Sequence, residues 1–155
     1  MNQRAEAHLE AWNAKQELAE RMIPLIGQLY RDNDVVMSVH GRSLVGRSAI
    51  DIIRAHSFAR KIDDVELPLA ETNAIVEALA AIQPGPVSID LAGLANGFRA
   101  AGGGDLDAYL REVLAPALGA TSKGGTDVVL YGFGRIGRLL ARIIIEHSGS
   151  GNGLN

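Results

Sequence analysis

The chain has 155 residues, of which 47% are hydrophobic, and its formal net charge is −3. The length suits one ordinary domain, and the apolar share is enough to build a core. The charge shows no overall basic excess of the kind that binds nucleic acid, and no uncharged apolar run reaches the length of about 18 residues that a membrane span needs. The absence of Cys argues against a disulfide framework, and the N-terminus lacks the apolar core of a secretory signal. We therefore expect a cytoplasmic protein whose partners include neither nucleic acid nor a membrane.

The first thirty residues have the pattern of one long amphipathic helix. Its predicted apolar face consists of Leu9, Trp12, Leu18, Met22, Leu25, Ile26 and Leu29. Pro24 lies late in this run, and its missing N–H predicts a kink or break near Arg21. Trp12 could bind a ligand, but an anchor in the core or in an interface is the favoured interpretation.

A short strand and a second helix are predicted next. Val35–Val39 is typical of a buried strand, and Ser48 to Asp51 forms a capping box that opens a helix over Ala49–Lys61. The loop between them contains a candidate anion site, consisting of Arg42, Ser43, Arg47 and Ser48. The alternative is a solvated connection whose serines cap the helix. His40 and His56 are too isolated from Cys, Asp or Glu at ligand spacing to indicate a metal site.

The following segments complete a mostly helical module with a few short strands over residues 1–118. Helices are predicted over Leu69–Ile82 and, after an Asp105 cap, over Leu106–Leu118. Val87–Leu91 alternates like a strand, although its apolar residues could equally begin a short helix over Ala92–Ala101. Pro and Gly clusters separate these segments, at residues 83–86 and 102–104.

The last part of the chain has the pattern of a dinucleotide-binding strand, turn and helix. Small polar residues over 119–126 predict a linker, and Asp127–Tyr131 predicts a buried strand. The Gly-x-Gly-x-x-Gly turn over 132–137 follows directly, and a helical pattern continues over 139–146. The first glycine suits a tight turn, the second lets the backbone approach a pyrophosphate, and the third lets the helix pack closely. The alternative is an ordinary strand, turn and helix in a core.

The residues within this turn are more specific than the glycines alone. Gly-Phe-Gly-Arg-Ile-Gly-Arg followed by Leu-Leu-Ala-Arg resembles the opening of the glyceraldehyde-3-phosphate dehydrogenase family, over about residues 127–147. The resemblance implies a Rossmann-type domain, NAD or NADP as cofactor and a phosphorylated aldehyde as substrate, in carbohydrate metabolism. It assigns cofactor contacts to Gly132, Phe133, Gly134, Arg135, Ile136 and Gly137. The residues that precede the strand look like the N-terminal extension of a long subclass.

The sequence also predicts that the chain is inactive by itself. A dinucleotide domain needs a further strand with an acidic residue about 20 positions beyond the glycines, and the resembled family uses a thiolate nucleophile, whereas this chain has no Cys. We therefore predict no catalytic residue and no metal site, and interpret the chain as the N-terminal portion of a longer oxidoreductase. The apolar residues of the unfinished domain favour a homo-oligomer. An alternative is that residues 1–118 are a regulatory or oligomerisation module of a longer nicotinamide-dependent aldehyde dehydrogenase-like enzyme.

Overall fold

The computed structural model describes residues 3–121 and 129–148. The chain divides into two compact units, 1–121 and 122–155. The first unit contains α1 (Gln3–Asn33), β1 (Val35–Val39), β2 (Arg42–Ser43), α2 (Ala49–Asp63), α3 (Leu69–Ile82), β3 (Val87–Asp90), α4 (Leu91–Ala100), α5 (Leu106–Val113) and a 3₁₀ turn over Ala115–Ala117. The second contains α6 (Arg135–Ser148). The predicted mostly helical module with a few short strands is thus confirmed for the described residues. Among them, no helix combines the length and apolarity needed to cross a membrane.

Helix α1 supplies much of the core through its second half. Met22, Ile26 and Leu29 are at most 1% exposed, and α1 packs against α2, α3 and β1. Of the predicted kink or break near Arg21, the break is wrong, because α1 continues through Pro24. One missing N–H is outweighed here by the burial of apolar side chains on both sides of the proline.

The first half of α1 differs from the prediction. Every side chain from residue 5 to residue 17 is exposed. Leu9 and Trp12 are 60% and 44% exposed, so Trp12 is not a core residue in this chain. Helical spacing shows which side chains of α1 share a face. It does not show that the elements packed against this face, α2, α3 and β1, cover only its second half.

A three-stranded sheet in the order β2-β1-β3 packs against this helix. β1 pairs in parallel with β3, with Val35 opposite Val87, and antiparallel with β2, with Val39 opposite Arg42. The loop predicted after β1 therefore contains a hairpin. Its two turn residues, His40 and Gly41, both have positive φ, as a type I′ turn requires.

Carboxylates fix the ends of the strands and helices around this hairpin. β3 ends at Asp90, whose Oδ1 accepts hydrogen bonds from the N–H of Ala92, at the start of α4, and from the N–H of His40. The ring Nε2 of His40 lies 2.8 Å from Oδ2 of Asp63, which also accepts a hydrogen bond from Asn96. The hydrogen bond from His40 is the main cause that lowers the pKa of Asp63. Of the two structures predicted for the start of residues 87–101, strand or helix, the chain forms a strand up to Asp90 and a helix from Leu91.

The last predicted helix of this unit is shorter than expected. α5 ends at Val113 and is followed by the 3₁₀ turn Ala115–Ala117, whereas the prediction extended the helix to Leu118. Pro116 accounts for the difference, because it has no N–H to continue the helical ladder. Gly85 lies against this turn and donates its N–H to the carbonyl of Ala117 at 2.9 Å.

A buried histidine joins α2 to α3. His56 is 5% exposed, its Nδ1 lies 2.8 Å from the carbonyl oxygen of Ile52, and its Nε2 lies 2.8 Å from the hydroxyl of Thr72. The Ile52 carbonyl can only accept, so the Nδ1–H of His56 donates to it. The Thr72 hydroxyl lies between Nε2 of His56 and the carbonyl oxygen of Leu69, to which it donates at 3.1 Å. Burial lowers the pKa of His56 below its ordinary value of 6.5, against the smaller opposing effect of the Ile52 carbonyl.

We expect this histidine to make the fold sensitive to mild acid. Because the folded pKa is lowered, the unfolded chain binds a proton first as pH falls below 6.5, and the free energy of unfolding decreases toward the folded pKa. Denaturant unfolding of the wild type and of His56→Gln between pH 7.5 and 5.5 would test this. The variant should show a smaller loss of stability over this range, whereas a His8→Gln control, on exposed α1, should lose as much as the wild type. An equal pH dependence in His56→Gln and the wild type would contradict the assignment.

Candidate functional site

The glycine-rich turn lies in the second unit, ahead of α6. Of the predicted strand Asp127–Tyr131, only Val129, Leu130 and Tyr131 fall within the described residues, and these three are not part of a sheet. Asp127 and Val128 lie outside the described residues. A strand is held by pairing with a neighbour, so the predicted strand stays a prediction.

At two of the three positions in this turn, the backbone conformation or the lack of space requires glycine. Gly132 has a φ of +97°, which side chains rarely tolerate. A Cβ on Gly137 would collide with the carbonyl oxygen of Gly132, so the first turn of α6 comes too close to the preceding chain for any side chain at this position. The backbone conformation of Gly132 is therefore one that glycine adopts readily, as a tight turn at this position requires. The close approach of Gly137 is to the turn itself, at the carbonyl of Gly132.

The middle glycine has a different environment. A Cβ on Gly134 would meet no atom within 4 Å, so no residue in the described part of the chain requires glycine there for reasons of space. Its φ is not in the left-handed region either. Gly134 instead lines an open depression of about 540 Å³, together with Gly132, Arg135, Ile136 and Gly137.

The first turn of α6 has backbone N–H groups that the helix itself does not pair. The first helical hydrogen bond runs from the N–H of Arg138 to the carbonyl of Gly134, at 3.0 Å. The N–H groups of Arg135, Ile136 and Gly137 precede it and have no acceptor one turn earlier in the helix. Such donors, with the helix dipole behind them, form a chemically suitable environment for an anion. The predicted contact residue Phe133 is 65% exposed beside this turn.

Large apolar side chains of this unit are exposed to solvent to an unusual degree. Exposed fractions are 89% for Val129, 104% for Tyr131, 75% for Ile136, 58% for Leu139 and 43% for Leu140. On α6 the apolar positions recur at helical spacing on one face, whereas Arg135, Arg138 and Arg142 lie at intervening positions. This is the pattern of an amphipathic helix whose apolar face packs against other helices or strands.

The second candidate site is a basic depression in the first unit. A cavity of about 450 Å³ is lined by Arg42, Ser43, Arg47, Asp51 and Arg54, among other residues. Three of the four predicted anion-site residues are thus brought together. Ser48 is not among the lining residues, because its hydroxyl caps α2 by accepting the N–H of Asp51 at 3.3 Å and donating to the Asp51 carboxylate at 2.8 Å.

Sequence analysis missed Arg54, which adds a third guanidinium to the depression. It lies three residues after Asp51 on α2, with 3.6 Å between Nη1 and Oδ1. The helical spacing from the capping box was the available signal, because residues three apart share a helix face. The pKa of Asp51 is lowered, chiefly by the Ser48 hydrogen bond and further by Arg54 and Arg47.

Metal-ligating groups do not converge in the part of the chain that the structure describes. Within residues 3–121 and 129–148, no three His, Cys, Asp or Glu side chains are placed to hold a metal ion. The groups present at the two sites are backbone N–H groups at the glycine-rich turn and guanidinium groups at the basic depression, and both kinds of donor suit anions.

Comparison with known proteins found one informative similarity. Over 139 residues the chain is 51% identical to the glyceraldehyde-3-phosphate dehydrogenase-like protein of Pseudomonas aeruginosa (strain UCBPP-PA14). The match covers 86% of this chain but 30% of that relative's length. No protein-family model matches the chain. The similarity therefore extends well beyond the glycine-rich turn and into the helical unit.

Proposed function

We propose that the chain is the N-terminal portion of a longer NAD- or NADP-dependent oxidoreductase of the glyceraldehyde-3-phosphate dehydrogenase type. In this proposal residues 1–118 form an N-terminal extension, 119–126 a linker, and 127–155 the start of a Rossmann-type domain. The substrate would be a phosphorylated aldehyde. The name of the Pseudomonas relative and the extent of the match support the proposal, together with the family resemblance of the turn.

The observation that carries the proposal is the contrast among the three glycines. Gly132 and Gly137 are required by the conformation and close packing of the turn, whereas a side chain on Gly134 would project into open space beside the helix N-terminus. Because no neighbouring atom requires glycine at position 134, we attribute this glycine to a ligand that approaches the backbone there. A pyrophosphate suits this position, because it needs close contact with backbone N–H groups.

The exposed apolar residues of the second unit support the same proposal. Burying a large apolar side chain stabilises a protein by roughly 1.5–3 kcal/mol. Exposure of Ile136, Leu139 and Leu140 therefore favours further structure that covers α6. The occupants we propose are the later strands and helices of the same Rossmann-type domain.

The chemistry of the proposed enzyme divides between this chain and the rest of the longer protein. Bound nicotinamide would supply hydride transfer, and the turn of this chain would hold the pyrophosphate that fixes the cofactor's position. The chain contains no Cys, so the thiolate nucleophile implied by the resemblance would come from elsewhere in the longer protein. We assign no catalytic residue to the 155 residues.

Substitution of Gly134 separates ligand binding from structure. In the longer protein, Gly134→Ala should weaken NADH or NADPH binding by about tenfold or more, which corresponds to about 1.4 kcal/mol. The melting temperature of the free protein should hardly change, because the added methyl meets no atom of the turn. Fluorescence titration and thermal unfolding would measure the two effects.

Gly93→Ala is the matched control for this experiment. Gly93 lies in α4, where an added Cβ has ordinary contacts, the nearest atom being 3.8 Å away. This variant should bind the dinucleotide as the wild type does. If Gly134→Ala binds as tightly as Gly93→Ala, Gly134 does not face the cofactor and the proposed role of the turn is wrong.

The exposed half of α1 favours a second role, as an oligomerisation module. Leu9 and Trp12 are exposed and lie three residues apart on one helix face. Trp12→Gln should therefore shift the 155-residue chain toward smaller species in light scattering, because a large aromatic anchor is lost. An Ala14→Gln control, on the opposite face of the exposed half of α1, should retain the assembly. Identical masses for Trp12→Gln and the wild type would contradict this role.

A further inference from the structure

We propose that the basic depression between the β1–β2 hairpin and α2 binds the dianionic phosphate group of a small molecule. This site lies in the first unit and is separate from the glycine-rich turn, so it goes beyond the proposed dinucleotide binding. The residues that carry it are Arg42, Ser43, Arg47 and Arg54.

The first argument is local charge. Three guanidinium groups and one carboxylate line the depression, so its net charge is two positive, whereas the whole chain has a net charge of −3. Among the described residues, Arg42 and Arg47 make no ion pair within 4.0 Å, and Arg54 approaches Asp51 at 3.6 Å. Asp51 is itself engaged by the Ser48 hydroxyl. An anion with two negative charges would balance the excess.

The second argument is preorganisation. The guanidinium of Arg42 lies 3.6 Å from the ring centroid of Phe58 on α2, so a cation–π contact holds it over the helix. The hairpin turn at His40–Gly41 fixes the start of β2 and thereby the position of Arg42 and Ser43. Arg47 precedes α2 and Arg54 lies within it, and both line the depression. Guanidinium groups suit phosphate because they can donate two parallel hydrogen bonds to its oxygens.

The third argument concerns the size of the ligand. The volume of about 450 Å³ lies in the range of small-molecule sites. An extended basic surface, as lipid bilayers or nucleic acids require, is not expected on a chain with net negative charge. The ligand is therefore inorganic phosphate or the phosphate monoester of a small metabolite.

A larger cavity in the same unit serves as a comparison. It has a volume of about 640 Å³ and contains Lys15, Arg60 and Lys61, but its floor includes several apolar side chains. Glu66 also lines it and lies 4.0 Å from Lys15. This cavity lacks a stacked guanidinium, which makes the arginine-lined depression the better phosphate site.

Titration of the 155-residue chain followed by NMR would test the proposal. Inorganic phosphate and glycerol 3-phosphate should each shift the backbone amide signals of residues 41–51 at low ionic strength, and sodium chloride of equal ionic strength should not. Tighter binding of glycerol 3-phosphate would identify a phosphate monoester as the ligand class, whereas equal affinities would identify the phosphate group alone. No shift in this segment at millimolar concentrations of either probe would overturn the proposal.

Substitution of each side chain in or beside the depression should change the phosphate affinity in a defined direction. Arg47→Gln and Arg42→Gln should each weaken phosphate binding by about two- to fivefold, as expected for exposed charge pairs. Asp51→Asn should strengthen binding, because it removes the one negative charge in the depression. Phe58→Leu should weaken binding through loss of the surface that positions Arg42.

Two controls distinguish this site from nonspecific charge effects. Arg21→Gln removes an equally exposed positive charge on α1, where it pairs with Glu17, and should leave phosphate binding unchanged. Lys61→Gln removes a positive charge at the larger cavity and should likewise leave phosphate binding unchanged. If Arg47→Gln and Arg42→Gln bind phosphate as tightly as Arg21→Gln, the depression is not the site and the proposal fails.

Discussion

The fold of the first unit depends on burial of the apolar stripe in the second half of α1. Met22, Ile26 and Leu29 are almost completely enclosed, and their burial holds α2, α3 and β1 around one helix. β1 then pairs with a strand on each side, and the hairpin that follows it brings Arg42 and Ser43 beside α2. The basic depression is therefore a consequence of how the core is assembled, although its own side chains are exposed.

The second unit depends on a different constraint, the space available to its backbone. Gly132 and Gly137 permit a turn in which the start of α6 lies against the carbonyl of Gly132, and the N–H groups ahead of Arg138 have no acceptor within the helix. Gly134 leaves the approach to those donors open. The apolar face of α6 is exposed nearby. We propose that both the open donors and the apolar face are completed by other parts, the donors by a dinucleotide and the face by the rest of a Rossmann-type domain.

Sequence patterns predicted local structure best where the signal was also local. The strand Val35–Val39, the Ser48 cap and the helix Leu69–Ile82 are confirmed with their boundaries. The predictions were wrong where distant packing decides the outcome: α1 does not break at Pro24, and Trp12 is not in the core of this chain. An interface role for Trp12 stays a prediction. Two further features have local sequence signals. Gly41 favours the turn of the β1–β2 hairpin, and Pro116 cannot continue α5, which ends at Val113. Arg54 joined the candidate anion site only through the helix geometry of α2.

The central claim is that the turn over 132–137 holds the pyrophosphate of a nicotinamide dinucleotide. A crystal structure of the longer protein with bound NAD or NADP would test this most directly. Our account predicts pyrophosphate oxygens within hydrogen-bonding distance of the N–H groups at the start of α6, with the cofactor backbone passing over Gly134 and the apolar face of α6 covered by neighbouring strands. A dinucleotide bound elsewhere, with the turn closed over by protein, would contradict it.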